Sequence, residues 1–256
     1  MADKELVTEV AEEAKETASK AKKATKSKYP KRRHLTAADT IKVRITFTDD
    51  VLGSSPADPE IFSTYIASKA PDAMSRQEEI EIHGAEEYED LKTTVFMRHP
   101  ETGEPLIMSY MLDGFLKSAG AAYWRLGGEY KLSGYKKIVD TMLFISSTPD
   151  INNIDRMIPM HLPKGSALYL NQRTLRAQTP QGDRVALASS EAAPKGTWAE
   201  SYIILLDSSL RPVILNWLEY GKVEGYGQWR NSGKGTFTTE IWDDTENKYV
   251  PIEEVE

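Results

Sequence analysis

The sequence contains no cysteine, which excludes disulfide bonds, thiolate metal ligands and cysteine nucleophiles. Its few histidines are scattered and form no HxH or HExxH metal-binding spacing. No apolar run approaches the ~20 residues that a membrane-spanning helix needs, and the N-terminus lacks the apolar segment of a signal peptide. We therefore expect a cytoplasmic protein with no cofactor, no bound metal and no membrane attachment.

Charge is unevenly distributed along the chain. Residues 1–35 contain ten of the 32 basic residues and six of the 39 acidic residues. The remaining 22 basic and 33 acidic residues give residues 36–256 a net charge of −11. Such an acidic body disfavours a broad surface for duplex DNA, because the phosphates would be repelled. A local basic groove remains compatible with this balance.

The charge pattern predicts a flexible, charged extension over residues 1–39 and a single domain over residues 40–256. Lys20–Arg33 contain eight basic residues and no acidic one. The residues before them favour a helix by composition, but no apolar stripe is present for that helix to bury. The extension is either a solvated tail or an arm that binds nucleic acid without sequence preference. We expect its removal to leave a folded core.

Hydrophobic periodicity in the rest of the chain predicts strands and helices in mixed order. The segment from Thr40 alternates apolar and polar residues, which is the period of a half-buried strand. Further strands are expected over 93–98, 106–111, 141–145, 157–162, 166–172, 184–190, from Trp198 and from Phe237, and helices from Asp58, from Ser75, over 112–123 and after Ser208. This order indicates an α+β fold with helices packed on an antiparallel sheet.

A glycine-rich loop over residues 224–237 combines cations and aromatic rings. Glycine lets a backbone adopt positive φ and approach a ligand closely, while arginine, lysine and flat rings suit phosphates and bases. The loop is either a structural turn or a contact for a nucleic-acid backbone, and its rings either pack inside the protein or stack on bases. The residues concerned are Gly225, Tyr226, Gly227, Trp229, Arg230, Gly233, Lys234 and Gly235.

The spacing in this loop excludes a P-loop. That motif needs four residues between its first glycine and Gly-Lys-Ser/Thr. Five residues separate Gly227 from Gly233, and Gly235 stands where serine or threonine is required. A strand-like segment then follows instead of a helix.

A long polar connection over residues 173–184 carries three arginines: Arg173, Arg176 and Arg184. Connections of this kind often carry function, because they are exposed and variable. The segment is either a solvated hairpin or a second contact for nucleic acid.

Three blocks of sequence together resemble the RAMP superfamily, which includes the backbone-forming subunits of CRISPR effector complexes. They are Glu104–Ile107 followed by Gly114–Lys117, then Glu191–Trp198 with its Glu-x-x-Pro-x-Gly-Thr pattern, and Leu218–Phe237 with the glycine-rich loop. The resemblance covers residues 41–242. It implies a ferredoxin-like, RRM-related sheet with helices on one face, hairpin insertions, RNA binding and assembly of subunits head to tail through the 173–184 hairpin. The chain is also similar to uncharacterised phage and prophage proteins, which implies a bacterial host cytoplasm.

Asp49 and Asp50, after the first predicted strand, are the weak catalytic candidates. Some RNA-cutting members of the RAMP superfamily use an aspartate in an early loop, so the resemblance implies this role for one of them. The alternative is a solvent-exposed turn.

Three functions follow from these observations. The leading hypothesis is a noncatalytic protein that binds single-stranded RNA or DNA, with RNA preferred, through the glycine-rich loop and the arginine-bearing hairpin. The second is an interaction protein that uses the fold to bind a host protein or itself, which the acidic body favours. The third is a metal-assisted ribonuclease that uses Asp49 or Asp50.

Overall fold

The computed structural model describes residues 35–56, 93–179 and 182–254, and for Pro56, 175–179 and 182–186 it describes the backbone alone. The predictions for residues 1–34 and for helices starting at Asp58 and Ser75 lie outside the described residues.

The described residues form thirteen strands and three α-helices. The strands are β1 (Asp39–Phe47), β2 (Val51–Leu52), β3 (Ser55–Pro56), β4 (Thr94–Val95), β5 (Met97–Arg98), β6 (Pro105–Met108), β7 (Leu143–Ser146), β8 (Met157–His161), β9 (Tyr169–Thr179), β10 (Gly182–Ala193), β11 (Trp198–Leu205), β12 (Phe237–Asp243) and β13 (Lys248–Pro251). The α-helices are α1 (Ser109–Leu126), α2 (Tyr135–Met142) and α3 (Arg211–Glu219).

The main sheet has a ferredoxin-like centre. In chain order its units are β1, helices α1 and α2, β7, β11, α3 and β12, which is a βαββαβ arrangement. In space β12 pairs with β1, β1 with β11 and β11 with β7, and every pairing is antiparallel. Strands β13, β8, β6 and β5 extend this sheet at its two sides. The topology confirms the α+β, ferredoxin-like prediction.

Strand β1 lies between β12 and β11, and its sequence alternates regularly between apolar and polar residues. Ile41, Val43, Ile45 and Phe47 are buried, whereas the residues between them are partly exposed. Since successive side chains of a strand point to opposite faces, one face of the sheet is apolar and the other is polar. The apolar face packs with residues of all three helices in one core.

Residues 141–145 were expected to be a strand, and this prediction was partly wrong. Helix α2 extends through Met142, and β7 begins only at Leu143. The hydroxyl of Thr141 donates to the carbonyl oxygen of Lys137, four residues back, at 2.7 Å. A β-branched residue is thus accommodated in the last helical turn, where its side chain satisfies a backbone acceptor.

A second sheet contains β2, β10, β4 and β3, with β9 paired to β10. The expected loop over 173–184 is wrong, because most of it is strand: β9 and β10 pair without interruption from Tyr169–Ala192 to Thr179–Gly182. Antiparallel ribbons exposed to water tolerate polar residues, so the polar composition was misleading. The hairpin prediction itself holds, since β9 and β10 are antiparallel neighbours.

Helix α1 carries a carboxylate whose environment makes stability depend on pH. The pKa of Asp113 is raised to about 6, mainly by burial. The positive charges of Lys117 and Arg156 oppose this rise, and the negative charge of Asp140 adds to it. A carboxyl group whose pKa is higher in the folded state destabilises the fold when it ionises. The destabilisation is absent below about pH 3.8, grows as pH rises, and is complete above about pH 6.

We expect Asp113→Asn to stabilise the protein at pH 7.5 by about 1–2 kcal/mol, a figure reduced for partial exposure of the group. At pH 3.5 the substitution should give no such gain, because the carboxyl group is then neutral in both states. Thermal melts of both proteins across this range measure the difference. Asp244→Asn, at an exposed carboxylate in the β12–β13 connection, is the control that should not stabilise. A gain for Asp113→Asn that is independent of pH would contradict the prediction.

Candidate nucleic-acid interface

Two segments of the chain, around Gly225 and around Gly235, pack directly against each other at the base of the glycine-rich loop, which we call the loop neck. A Cβ atom added at Gly225 would lie 2.0 Å from the carbonyl oxygen of Lys234, and one added at Gly235 would lie 1.9 Å from that of Tyr226. The amide of Tyr226 donates to the carbonyl of Gly235 at 2.8 Å. These two glycines are therefore required by the packing of the chain itself. Gly227 similarly faces the carbonyl oxygen of Leu52, whereas Gly233 has open space around it.

The two aromatic residues of the loop have opposite environments. Tyr226 is 3% exposed, packs near Phe47 and directs its hydroxyl at the sulfur of Met111 at 2.8 Å. Its ring has no open face for a base, so the interpretation of Tyr226 as a packing residue fits the structure. Trp229 is 39% exposed and has a φ of 58°. Positive φ is an outlier for so bulky a residue, and such strain often accompanies function.

Lys234 is held by the two aspartates that were the catalytic candidates. Its Nζ donates to Asp49 at 3.0 Å and to Asp50 at 2.8 Å. The side chain of Lys234 is only 19% exposed between these carboxylates. The hydrogen bond to Asp50 raises the pKa of Lys234. Burial opposes ionisation of Asp50, yet hydrogen bonds from Lys234, Tyr169 and the amide of Lys195 hold its pKa below the ordinary value.

Arg230 lies at the exposed end of the loop, beside a groove. Its Nη1 contacts the Glu224 carboxylate at 3.2 Å, and Ser118 of helix α1 donates to the same carboxylate at 2.7 Å. The groove has a volume of about 220 Å³, and its lining includes Arg230, Gly227 and the helix residue Gly114. Gly114 is exposed, and nothing lies within 4 Å of the place where its Cβ would be. The groove thus lies between the loop and the part of the helix α1 surface where Gly114 carries no side chain.

Arg173 of strand β9 connects the hairpin to the loop. Its guanidinium donates to the Gln228 side chain and to Ser190, both at 3.3 Å, and lies 4.8 Å from the centre of the Trp229 ring. Burial lowers the pKa of Arg173. Among the described residues, it forms no ion pair with a carboxylate. Its Nε is buried without a hydrogen-bond partner, as is the Oδ1 atom of the nearby Asn171.

The other two arginines of the hairpin are placed by backbone register alone. Arg176 is opposite Val185, and Arg184 is opposite Ala177. Both belong to the half of the hairpin nearer its tip.

The structure therefore brings Arg173, Trp229 and Arg230 into one region and places Lys234 and Tyr226 in supporting positions. Sequence reasoning missed Gln228, Tyr169 and Glu224, which hold the cations or link the segments. Only Glu224 and Gln228 had a signal, since both are polar residues within the glycine-rich loop. Tyr169 could not be identified, because its contact with Asp50 joins parts of the chain 119 positions apart.

Neither a metal-binding cluster nor a membrane-spanning helix is found in the part of the chain that the structure describes. No group of three or more histidine or acidic side chains there is arranged to hold a metal ion. None of the helices in these ranges is long and apolar enough to cross a bilayer. Asp49 and Asp50 are instead arranged as the acidic partners of Lys234.

No protein-family model matches the sequence, and no curated protein matches it. Among solved structures, the chain is similar to one in the cryo-EM structure of the Type III-B Cmr-beta bound to cognate target RNA, with a TM-score of 0.49 and 12% sequence identity over 83% of this chain. The match covers 61% of that chain's length. At this identity and TM-score, the assignment of the fold rests on the strand order described above.

Proposed function

We propose that this chain binds single-stranded nucleic acid, with RNA as the expected ligand, and that it does not cleave it. The observation that carries the proposal is Arg173, a partly buried cation between the hairpin and the loop that forms no ion pair with a described carboxylate. A buried charge is costly unless it is paired. A phosphate group of the ligand would supply the missing negative charge.

Trp229 supplies the second half of the contact. Arg173 lies over its ring, and the residue is 39% exposed. A base that stacks on Trp229 while its phosphate meets Arg173 would use both groups at once. Stacking on an aromatic side chain is tolerant of sequence and is worth ~1–3 kcal/mol per base. We therefore expect little sequence preference at this position.

The groove beside Arg230 gives the strand a path along helix α1. Arg230 is 43% exposed and needs only to leave Glu224 to meet a phosphate. Gly114 leaves the helix surface open at the point where a sugar–phosphate chain would pass. An exposed glycine inside a helix costs about 1 kcal/mol relative to alanine. Close approach of a ligand would explain why it stands there.

A single strand fits better than a duplex. The contacts are one stacking ring and a few cations, whereas residues 36–256 carry a net charge of −11. Such a body repels the many phosphates of a duplex face. A flexible strand can instead enter a narrow groove and direct its charge away from the acidic surface.

The direct test is titration of the full chain with fluorescent 20-nucleotide RNA, single-stranded DNA and duplex DNA over a range of salt concentrations. We expect RNA to bind most tightly and affinity to fall with salt. Arg230→Gln should weaken binding and reduce the salt slope by ~0.7 for the lost phosphate contact. Gel analysis of the same RNA with Mg²⁺ or Mn²⁺ should show no cleavage.

The matched control is Arg125→Gln, at an exposed arginine in the last turn of α1. It should leave affinity and salt slope nearly unchanged. Absence of binding to all three ligands at low salt would refute the proposal. Metal-dependent cleavage that is lost in Asp50→Asn would replace it with the ribonuclease hypothesis.

A further inference from the structure

The face of the main sheet opposite the helices carries a connected group of cations, aromatic rings and carboxylates, which we call the outer face. Arg44 lies 3.8 Å from the centre of the Tyr249 ring and 4.9 Å from that of Trp198. Lys42 lies 4.4 Å from the centre of the Trp242 ring. These groups belong to four neighbouring strands, β13, β12, β1 and β11. Tryptophan, tyrosine and arginine are the residues that most often dominate protein–protein contacts.

The charges on this face are balanced, unlike those of the body as a whole. Arg44 is in register with Glu200 on β11 and with Glu240 on β12. Residues in register on antiparallel strands point to the same side of a sheet. Arg44 contacts Glu200 at 2.6 Å, and Lys42 lies 3.9 Å from the same carboxylate. Two cations therefore meet two carboxylates within one small area.

This balance argues against nucleic acid as the occupant, because a phosphate near Arg44 would meet Glu200 and Glu240 on either side. It favours a protein surface of the same alternating pattern. The side chains of Lys42, Arg44 and Glu200 are still 27%, 31% and 30% exposed, so they have surface left to bury.

We propose that the outer face is the contact between two copies of this chain, related by a two-fold axis that runs between β1 and β11, parallel to the strands. This axis places Arg44 of each copy opposite Glu200 of the other, so the pattern is complementary to itself. The contact is isologous, and it closes at a dimer.

The charge and size of the face support a second copy. Two bodies that each carry a net charge of −11 repel one another through most of their surfaces, and the outer face is where opposite charges can be matched. The four strands, spaced by about 4.8 Å and with a rise of about 3.4 Å per residue over the nine residues of β1, give a face of roughly 590 Å². This is smaller than the roughly 800 Å² per partner of a standard specific interface, so we expect a weak dimer with a dissociation constant in the micromolar range.

The test uses reciprocal charge reversal and analytical ultracentrifugation of the full chain without nucleic acid. Arg44→Glu and Glu200→Arg should each weaken the homodimer by roughly 100-fold, because each places like charges opposite one another twice. An equimolar mixture of the two variants should form a heterodimer of nearly parental affinity. The internal Arg44–Glu200 pair is broken in both variants, so recovery in the mixture reports contact between copies.

Lys131→Glu and Glu129→Arg are the control pair, since both residues are exposed in the α1–α2 connection away from the outer face. Each should leave the dimer intact. Arg44→Gln is the milder variant if a reversal fails to fold, and it should weaken the dimer about 10-fold. At about 500 μM, well above a micromolar dissociation constant, the parent should be dimeric. A parent that is monomeric at this concentration, or a mixture of the two variants that stays monomeric, would overturn the proposal. The proposal would also be overturned if the Arg44 and Glu200 substitutions weakened RNA binding and left self-association unchanged.

Discussion

Gly235→Ala should lower the free energy of unfolding by about 3–5 kcal/mol. Its new Cβ would lie 1.9 Å from the carbonyl oxygen of Tyr226, and the residue has a φ of 72°. Neither atom belongs to a flexible side chain, so the loop neck must open and lose the hydrogen bond between Tyr226 and Gly235. For a domain of this size, we expect the melting temperature to fall by roughly 6–20 °C.

Gly233→Ala is the matched control for this substitution. Gly233 has a similar φ of 82°, but nothing lies within 4 Å of its added Cβ. The cost should be only that of the backbone conformation, about 1 kcal/mol. Calorimetry of the two variants separates the backbone clash from the conformational strain. Equal losses of stability would show that the crossing at the loop neck is not tight.

Arg173→Gln should weaken single-stranded RNA binding by roughly 10- to 100-fold, which corresponds to about 1.5–3 kcal/mol for hydrogen bonds to a charged group. The substitution removes the cation that the ligand is proposed to neutralise. It also removes a charge that the free protein keeps partly buried, where burial lowers the pKa of the guanidinium. We therefore expect the free protein to be as stable as the parent or more stable, so the loss of binding is not a loss of folding.

Titration and thermal melts of Arg173→Gln should be compared with those of Trp229→Ala and Arg125→Gln. The Trp229 variant should lose affinity through stacking, with little change of the salt slope, since the ring carries no charge. The Arg173 variant should bind RNA more weakly, and its affinity should also depend less steeply on salt. Parental affinity in a folded Arg173→Gln protein would exclude the contact that carries the proposed function.

The central elements could be predicted because their signals are local. The alternation of Ile41 to Phe47 is a direct consequence of one buried face, and it gave the position of β1 almost to the residue. The helical spacing around Phe115 likewise gave α1. The polar hairpin was misjudged because both faces of a solvated ribbon can be polar, so its composition resembles that of a loop.

The candidate site was only partly predictable, because burial and pairing depend on residues far apart in the chain. The sequence identified Arg173, Trp229, Arg230 and Lys234 as carriers of charge or flat surface. It could not show that Lys234 is bound by Asp49 and Asp50.

The sequence by itself determined the absence of thiol chemistry, the alternation of the central strand and the concentration of glycine in one loop. These properties follow from residue type and from short-range periodicity. Only the tertiary structure decided which cations of the candidate site have a described carboxylate partner, because an ion pair requires two side chains within about 4 Å. Chain folding brings Lys234 to the aspartates after β1, and it leaves Arg173 beside Trp229 without a described carboxylate partner.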